Sequence, residues 1–289
     1  MTTTDRKIDR QKTSHCPTAL TIAGSDCSGG AGIQADIKTM SALGVYAASA
    51  ITAITIQNTT GVKGVAAVAP DVVEKQIRAV MEDICPKTVK TGMVNDASTI
   101  GAIVRALDDY QLQHLVVDPV MVSTSGCALM NKEAIHVFKR LLMPKATLLT
   151  PNIPEAEVLS GISITNDRSL LQAGTAIARL MGGHVLVKGG HAEGCTKTDR
   201  LFDAHGLVTE ISHRAVDTNN THGTGCTLSA AITAWLALGK DLQEAVALGK
   251  AYMTQALAAG SDVASWHGKG PVNHFFNPQP LVKWKTNIS

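Results

Sequence analysis

No apolar run in this chain reaches the roughly 18 residues that a bilayer-spanning helix needs, so the sequence gives no reason to expect a membrane protein. Aromatic residues are scarce, with three Trp, three Tyr and four Phe in 289 residues, and the net charge is only +2. A nucleic-acid surface normally shows a basic stripe with stacking rings, and this chain has neither. Cysteines at positions 16, 27, 85, 127, 195 and 226 form no CxxC pair. The ten histidines form no HExxH pattern. A disulfide framework and a structural zinc site are therefore not expected, and a reduced, cytoplasmic protein is. No GxxxxGK[ST] sequence and no protein-kinase signature occurs, which excludes those two routes of phosphoryl transfer. The polar segment 1–17 lacks the apolar centre of a signal peptide and reads as a poorly ordered extension. There is no linker, repeat or low-complexity tract, so residues 18–289 are expected to form one domain.

What is present is a regular alternation. Short β-branched runs at Ala19–Ala23, Ala50–Ile56, Thr88–Thr91, Leu115–Asp118, Thr147–Thr150 and Val185–Lys188 read as buried strands. Helical stripes lie between them. Ile33, Ile37, Met40 and Leu43 form one, stopped by Gly44, and Val73, Ile77, Val80, Met81 and Ile84 form another behind Pro70-Asp71. Further helices are expected over Ala97–Asp109, Lys132–Leu142, Ser169–Met181, Thr224–Leu238 and Leu242–Ala259. The stretch from Arg200 to Ser212 breaks the rhythm and reads as a β-hairpin turning at His205-Gly206. This pattern predicts an α/β fold, a mostly parallel sheet with helices on both faces. Ligands of such folds gather at the carboxyl ends of the strands. The polar residues there are Gly24-Ser25-Asp26, Gln57-Asn58, Gly92-Met93, Asp118-Pro119, Pro151-Asn152 and Gly189-Gly190.

The most informative stretch is Asn220-Thr221-His222-Gly223-Thr224-Gly225-Cys226-Thr227. It opens a helix, whose first amides lack intrahelical partners and sit at the positive end of the dipole. Glycines let the backbone approach a ligand, which suits a phosphate. A cysteine at that end should have its thiolate favoured. A Gly-rich N-cap without a ligand fits the same residues. Gly30-Ala31-Gly32-Ile33-Gln34-Ala35 superficially matches a dinucleotide fingerprint, but Thr52–Asn58 holds no carboxylate for the ribose, so a nicotinamide or flavin site is rejected. The glycines read instead as a turn whose helix carries Asp36 towards the same cavity. Asp118, Asn152 and Glu155 are hard oxygen donors beside the anion loop and suit a phosphate-bound Mg²⁺; a plain turn with an N-cap fits Asn152 and Glu155 equally. Lys188 is placed to neutralise phosphates. The Gln57 amide can pair with a heteroaromatic ring and the Met93 thioether can pack on its face; alone, they would read as a solvated loop residue and a core residue.

The segments Ala19–Thr39, Gln57-Asn58-Thr59, Lys90-Thr91-Gly92-Met93, Thr150-Pro151-Asn152-Ile153-Pro154-Glu155-Ala156, Lys188-Gly189-Gly190-His191, Asn220–Cys226 and Gly270-Pro271-Val272-Asn273-His274-Phe275 closely resemble, in collinear order, the hydroxymethylpyrimidine/phosphomethylpyrimidine kinases of thiamin biosynthesis. That family is ribokinase-like, so the resemblance implies a three-layer α/β sandwich. It also implies phosphorylation of 4-amino-5-hydroxymethyl-2-methylpyrimidine (HMP) by Mg-ATP, followed by phosphorylation of the monophosphate. By the same resemblance Gln57 holds the pyrimidine, and Met93 lines its pocket with Gly24 and Asp36. Gly223, Thr224, Gly225 and Cys226 form the anion hole. Lys188, Asn152, Glu155 and Thr221 serve ATP, Asp118 and Glu155 hold Mg²⁺, and the protein is a homodimer. Cys226 is the expected acceptor of the hydroxyl proton in the first step only, because a phosphate acceptor is already ionised. Two other readings remain: a pyridoxal or pyridoxine kinase on the same scaffold, and a catalytically silent binding protein. The chain departs from the family at Cys27, where relatives often carry Pro or Ser, and in the short segment His267–Pro271.

Overall fold

The computed structural model describes residues 14–121, 129–189 and 195–285. Most of the expected N-terminal extension (1–13), and Gly190-His191 of the lysine motif, lie outside the described residues.

Strand β2 (Thr18–Asp26) is buried along almost its whole length, as its run of small and β-branched residues requires. It is the hub of the sheet. After it come helix α1 (Gly32–Ala42), β3 (Tyr46–Asn58), β4 (Gly61–Ala67), α2 (Pro70–Asp83), β5 (Thr88–Thr91), α3 (Ala97–Asp108) and β6 (His114–Val117). The second half holds α4 (Lys132–Val137), β7 (Leu148–Leu149), α5 (Ile153–Ser160), α6 (Asp167–Met181), β8 (His184–Val187), β9 (Thr196–Asp203), β10 (Gly206–Arg214), α7 (Thr224–Ala237) and α8 (Leu242–Ala259). Nine strands form one sheet in the order β10-β9-β8-β7-β6-β5-β2-β3-β4. The run from β8 to β3 is parallel, and β4 and the β9–β10 hairpin add antiparallel edges.

Alternation along the strands sorts the core. Leu115 and Val117 face one side with Ile77, Ile103, Ala134 and Ile177, so α2, α3, α4 and α6 cover that face. Val116, Leu148, Leu186 and Leu201 face the other with Leu228 and Ile232 of α7 and Val246 of α8, and Met40 of α1 packs with Ala230 and Tyr252. The result is the three-layer sandwich expected from the alternating pattern. The chain leaves β2 for β3 on one side and returns to β5 on the other, so the order of strands reverses between the parallel neighbours β2 and β5. A crevice for ligands opens at such a switch point.

Several boundaries differ from the sequence reading. The β3 strand runs on into an antiparallel partner, β4, whose Gly61-Val62-Lys63-Gly64 start carries no strand signal. The eight-residue α5 was read only as a turn; Pro154 at its second position and the Asn152 cap start it. The helix expected over Lys132–Leu142 changes into a π-helical turn at Phe138–Leu142. Ser14–His15 form a short strand, β1, against β11 (Trp284–Lys285), so chain assigned from sequence to the extension is tied to the C-terminal segment.

Candidate active site

On the β2–β3 side, the organising group is the Asp26 carboxylate, 2% exposed. It accepts hydrogen bonds from the Ser28 amide (2.8 Å) and hydroxyl (2.7 Å) and from the amides of Gly30 (3.1 Å) and Ala31 (2.7 Å). His222 Nε2 lies 2.8 Å from Oδ2. Burial alone would raise this carboxyl; the bonds from His222, Ser28 and Gln57 overturn that and hold it well below the usual carboxylate range. The backbone of Gln57 is tied to the same loop, its carbonyl accepting from the Cys27 thiol at 3.0 Å. Gly24 and Met93 also meet here: a Cβ at position 24 would lie 2.2 Å from Met93 Cε. The thioether therefore occupies the space that glycine leaves at the end of β2.

The anion loop lies over the centre of the sheet. Gly223 has φ of 78° and serves as the N-cap of α7. A Cβ there would sit 1.8 Å from the Gly30 carbonyl oxygen, so glycine is required by conformation and by space. Two residues on, a Cβ at Gly225 would lie 3.5 Å from Lys188 Nζ and 3.6 Å from Asp118 Oδ2. The loop thus touches both flanks of the crevice. Thr224 donates its hydroxyl to the Thr221 carbonyl at 3.1 Å, which closes the turn before the helix. The Cys226 thiol is pushed up to about 11, chiefly by burial, with Lys90 opposing. The expected thiolate at a helix N-terminus is therefore corrected: packing around the sulfur outweighs the dipole.

Asp36 also departs from expectation. It is completely buried rather than facing the crevice, accepting from Lys90 Nζ at 2.6 and 2.7 Å and from the Thr21 hydroxyl at 2.6 Å. Its helix register points it down into the sheet, where it balances a lysine that is itself 0% exposed. Burial alone would lower the Lys90 ammonium, and Asp36 overturns this and holds it above its ordinary value. This pair lies under the anion loop.

On the other side, Asp118 at the end of β6 accepts from Lys188 Nζ at 2.9 Å and from the Thr150 hydroxyl at 3.1 Å. Lys188 holds the Asp118 carboxyl low against burial, with help from Lys90. Glu155 and Asn152 form a capping box: Glu155 Oε2 accepts from the Asn152 amide (2.8 Å), and Asn152 Oδ1 accepts from the Glu155 amide (2.9 Å). The Glu155 carboxyl is raised by burial, opposed by Lys188 and reinforced by Asp118. Two buried carboxylates repelling each other beside a lysine and an anion loop suit a hard cation, and among the described residues no third acidic, His or Cys ligand completes a metal site. Phosphate oxygens and water would have to supply the rest, which is how Mg²⁺ is usually held.

Of the residues singled out from sequence, Asp118, Lys188 and Gly225 form one cluster, with Glu155 and Asn152 beside it and Thr221 at the base of the anion loop. Gly24 with Met93, and Gln57 with Asp26, form the other. Lys90 and His222 have no individual role in the sequence reading, and Asp26 stands there among the polar strand-end residues without a specific role. A lysine in the middle of a strand (Thr88-Val89-Lys90-Thr91) was the available signal for the first, since an unpaired charge is not tolerated there.

The chain matches the family model described as phosphomethylpyrimidine kinase over residues 26–273. It is 49% identical to the hydroxymethylpyrimidine/phosphomethylpyrimidine kinase of Rhizobium meliloti, over 89% of this chain and 96% of that protein. The crystal structure of phosphomethylpyrimidine kinase from Clostridium difficile superposes with a TM-score of 0.72 at 48% identity, covering 83% of this chain and 99% of that one. An ADP complex of Bacillus subtilis pyridoxal kinase gives a TM-score of 0.82 at 33% identity, over 90% and 98% of the two chains. With the family's motifs standing in collinear order around one crevice, this chain belongs to the phosphomethylpyrimidine kinase family.

Proposed function

We propose that this protein transfers the γ-phosphoryl group of ATP to the hydroxymethyl oxygen of HMP, and then phosphorylates the resulting monophosphate to the diphosphate. The carrying observation is the anion loop Gly223–Cys226, which reaches Gly30 on the acceptor side and Lys188 with Asp118 on the other. A transferring phosphoryl group needs such a bridge, because its charge must be held between the attacking and leaving oxygens. The acceptor ring is assigned to the pocket of Gln57, Met93 and Gly24, and the nucleotide phosphates to Lys188, Thr221 and the Asn152–Glu155 turn. Asp36 is left out of the substrate contacts and supports the floor with Lys90.

In the first step the hydroxymethyl oxygen bonds to the γ-phosphorus, the bond to the β-phosphate bridging oxygen breaks, and ADP leaves. The amides of Gly223–Cys226 stabilise the equatorial oxygens; loss of one such donor costs roughly 10²–10³ in rate. The hydroxyl proton goes to Cys226 in its thiolate form, a minority at neutral pH given a thiol at about 11. In the second step the acceptor is an ionised phosphate and no base is needed. Asp118 and Glu155 would hold Mg²⁺, which supplies charge neutralisation to the phosphates. Exposed Ile54 (52%) and Ile56 (59%), which share one face of β3, support a homodimer through that face. The reaction is assigned to the cytoplasm, where ATP is supplied.

The likeness to a pyridoxal kinase favours one second reading, phosphorylation of a pyridine with a similar hydroxymethyl group. Mass spectrometry of products from HMP, pyridoxal and Mg-ATP in one tube separates them. HMP diphosphate accumulating through a transient monophosphate is the expected result. Pyridoxal phosphate with no HMP diphosphate would replace the pyrimidine assignment and the role of Gln57.

A further inference from the structure

A further buried ion pair lies outside the site and takes no part in the proposed reaction. Lys250 Nζ on α8 stands 2.5 Å from Asp199 Oδ2 on β9, with side chains 5% and 1% exposed. Charges this far from water are retained only with their partners in place. The other oxygen, Asp199 Oδ1, accepts the Gly189 amide at 2.8 Å. Gly189 directly follows Lys188, and a Cβ there would lie 1.9 Å from the Thr198 carbonyl oxygen. The β9 backbone is thus pressed against this turn, and the Asp199 carboxylate is the partner of the Gly189 amide. Lys188, the preceding residue, also donates its amide to the Pro151 carbonyl and its ammonium to Asp118, at 2.8 and 2.9 Å, so the Gly189 anchor is the third tie on this turn. On the helix side, a Cβ at Gly249 would lie 2.6 Å from Ile232 Cγ1, so α8 is seated closely on α7, the helix that carries the anion loop.

We propose that Asp199 and Lys250 are positioning residues for nucleotide binding: Asp199 fixes the Gly189 amide, Lys250 aims and balances Asp199, and together they set where Lys188 meets the phosphates of ATP. The proposal rests on the reading of Lys188 as a phosphate ligand. A pair that merely cemented α8 to β9 would change how much protein folds, and hence apparent kcat, but not KM for ATP. A positioning pair changes KM for ATP and leaves KM for the acceptor alone.

Single substitutions would strand a buried charge, so the test uses double variants. Asp199→Leu/Lys250→Met removes both charges and the acceptor of the Gly189 amide. Asp199→Asn/Lys250→Gln removes the charges and keeps an amide oxygen for Gly189. The full chain is assayed with Mg-ATP and HMP, with thermal melts alongside, and ADP affinity is measured by calorimetry without acceptor. The Leu/Met variant is expected to melt as a folded protein, to raise KM for ATP and Kd for ADP by ~10-fold or more, and to leave KM for HMP within about twofold. The Asn/Gln variant is expected to recover most of the lost affinity. Unchanged ADP affinity in a folded Leu/Met variant overturns the proposal, as does an equal loss of affinity for HMP or the absence of recovery in Asn/Gln. Lys188→Met separates the premise from the inference. If it too leaves ADP affinity unchanged, both fall; if it weakens ADP while Leu/Met does not, the positioning role alone falls.

Discussion

At the scale of single residues, the site is a set of groups whose protonation is set by burial together with charged neighbours. Cys226 is the clearest case. With its thiol at about 11, a base role in the first phosphorylation means that this step draws on a small thiolate fraction. Its rate with HMP is expected to climb with pH across the range 7 to 9, whereas the rate with HMP monophosphate stays flat there. Cys226→Ala should lower the first rate by about 10²-fold or more and the second by much less. Quench-flow with each acceptor separately measures both, and equal losses would reduce Cys226 to packing in the anion hole. A second titration lies at His274, 3% exposed, with Nε2 3.1 Å from the Thr227 hydroxyl in the first turn of α7. Burial, with Lys38 and His222 nearby, lowers it to about 4 from 6.5. The folded state thus binds the proton less well than the unfolded chain, so stability is complete above pH 6.5 and falls as pH drops towards 4. The loss amounts to about 3 kcal/mol. Urea melts at pH 7 and 4.5 should show it, and His274→Gln should flatten the difference.

At the scale of elements, the alternating pattern exposed the parallel strands and most helices because each carries a periodic stripe that must be buried. The Leu242–Ala259 helix and the Thr88–Thr91 strand coincide with the sequence reading. What escaped has a physical reason in each case. The β4 strand is an edge, with Gly61, Lys63 and Gly64 where a core strand would alternate, so only pairing with β3 defines it. The short α5 has too few turns for a stripe and depends on its capping box. Asp36 falls on the expected helix, but the helix turns it inward to Lys90, and that pairing joins residues 54 positions apart. Asn152 and Glu155 form the N-cap turn that one of their two sequence readings gives, and the capping box leaves the second lone pairs of their oxygens for the ligand role proposed above. The β3–β4 edge also carries a prediction. Ile56, 59% exposed, shares its face of β3 with Ile54, the face given to the proposed dimer. Ile56→Lys would bury a lysine in that contact, at a cost of several kcal/mol. Light scattering is expected to give a dimer for the parent and a monomer for the variant, and an unchanged mass would move the interface elsewhere.

At the scale of the whole molecule, the proposed reading divides the nine-stranded sheet at β2 and β5 into an acceptor half and a nucleotide half, with α7 meeting residues of both. This arrangement explains how one site can serve two acceptors. The second substrate differs from the first by a phosphate on the reacting oxygen, so the attacking atom changes while the phosphoryl group in flight does not. The parts that hold the flying group must then act equally in both steps, and the parts that handle the acceptor proton must not. Gly223 belongs to the first class. Alanine there would meet the Gly30 carbonyl oxygen at 1.8 Å in a backbone with φ of 78°, so the loop has to move to accommodate it. The strain is local, about 1–3 kcal/mol, against a core that covers both faces of the sheet, so the variant should fold. Gly223→Ala is therefore expected to depress both phosphorylations together, each by roughly 10²–10³, with the far-ultraviolet spectrum retained. Cys226→Ala separates the two steps where Gly223→Ala does not, and single-turnover rates for both variants on both acceptors make the comparison. A Gly223→Ala enzyme impaired in only one step would mean that the two phosphorylations use different poses of ATP, and that the anion loop does not serve them both.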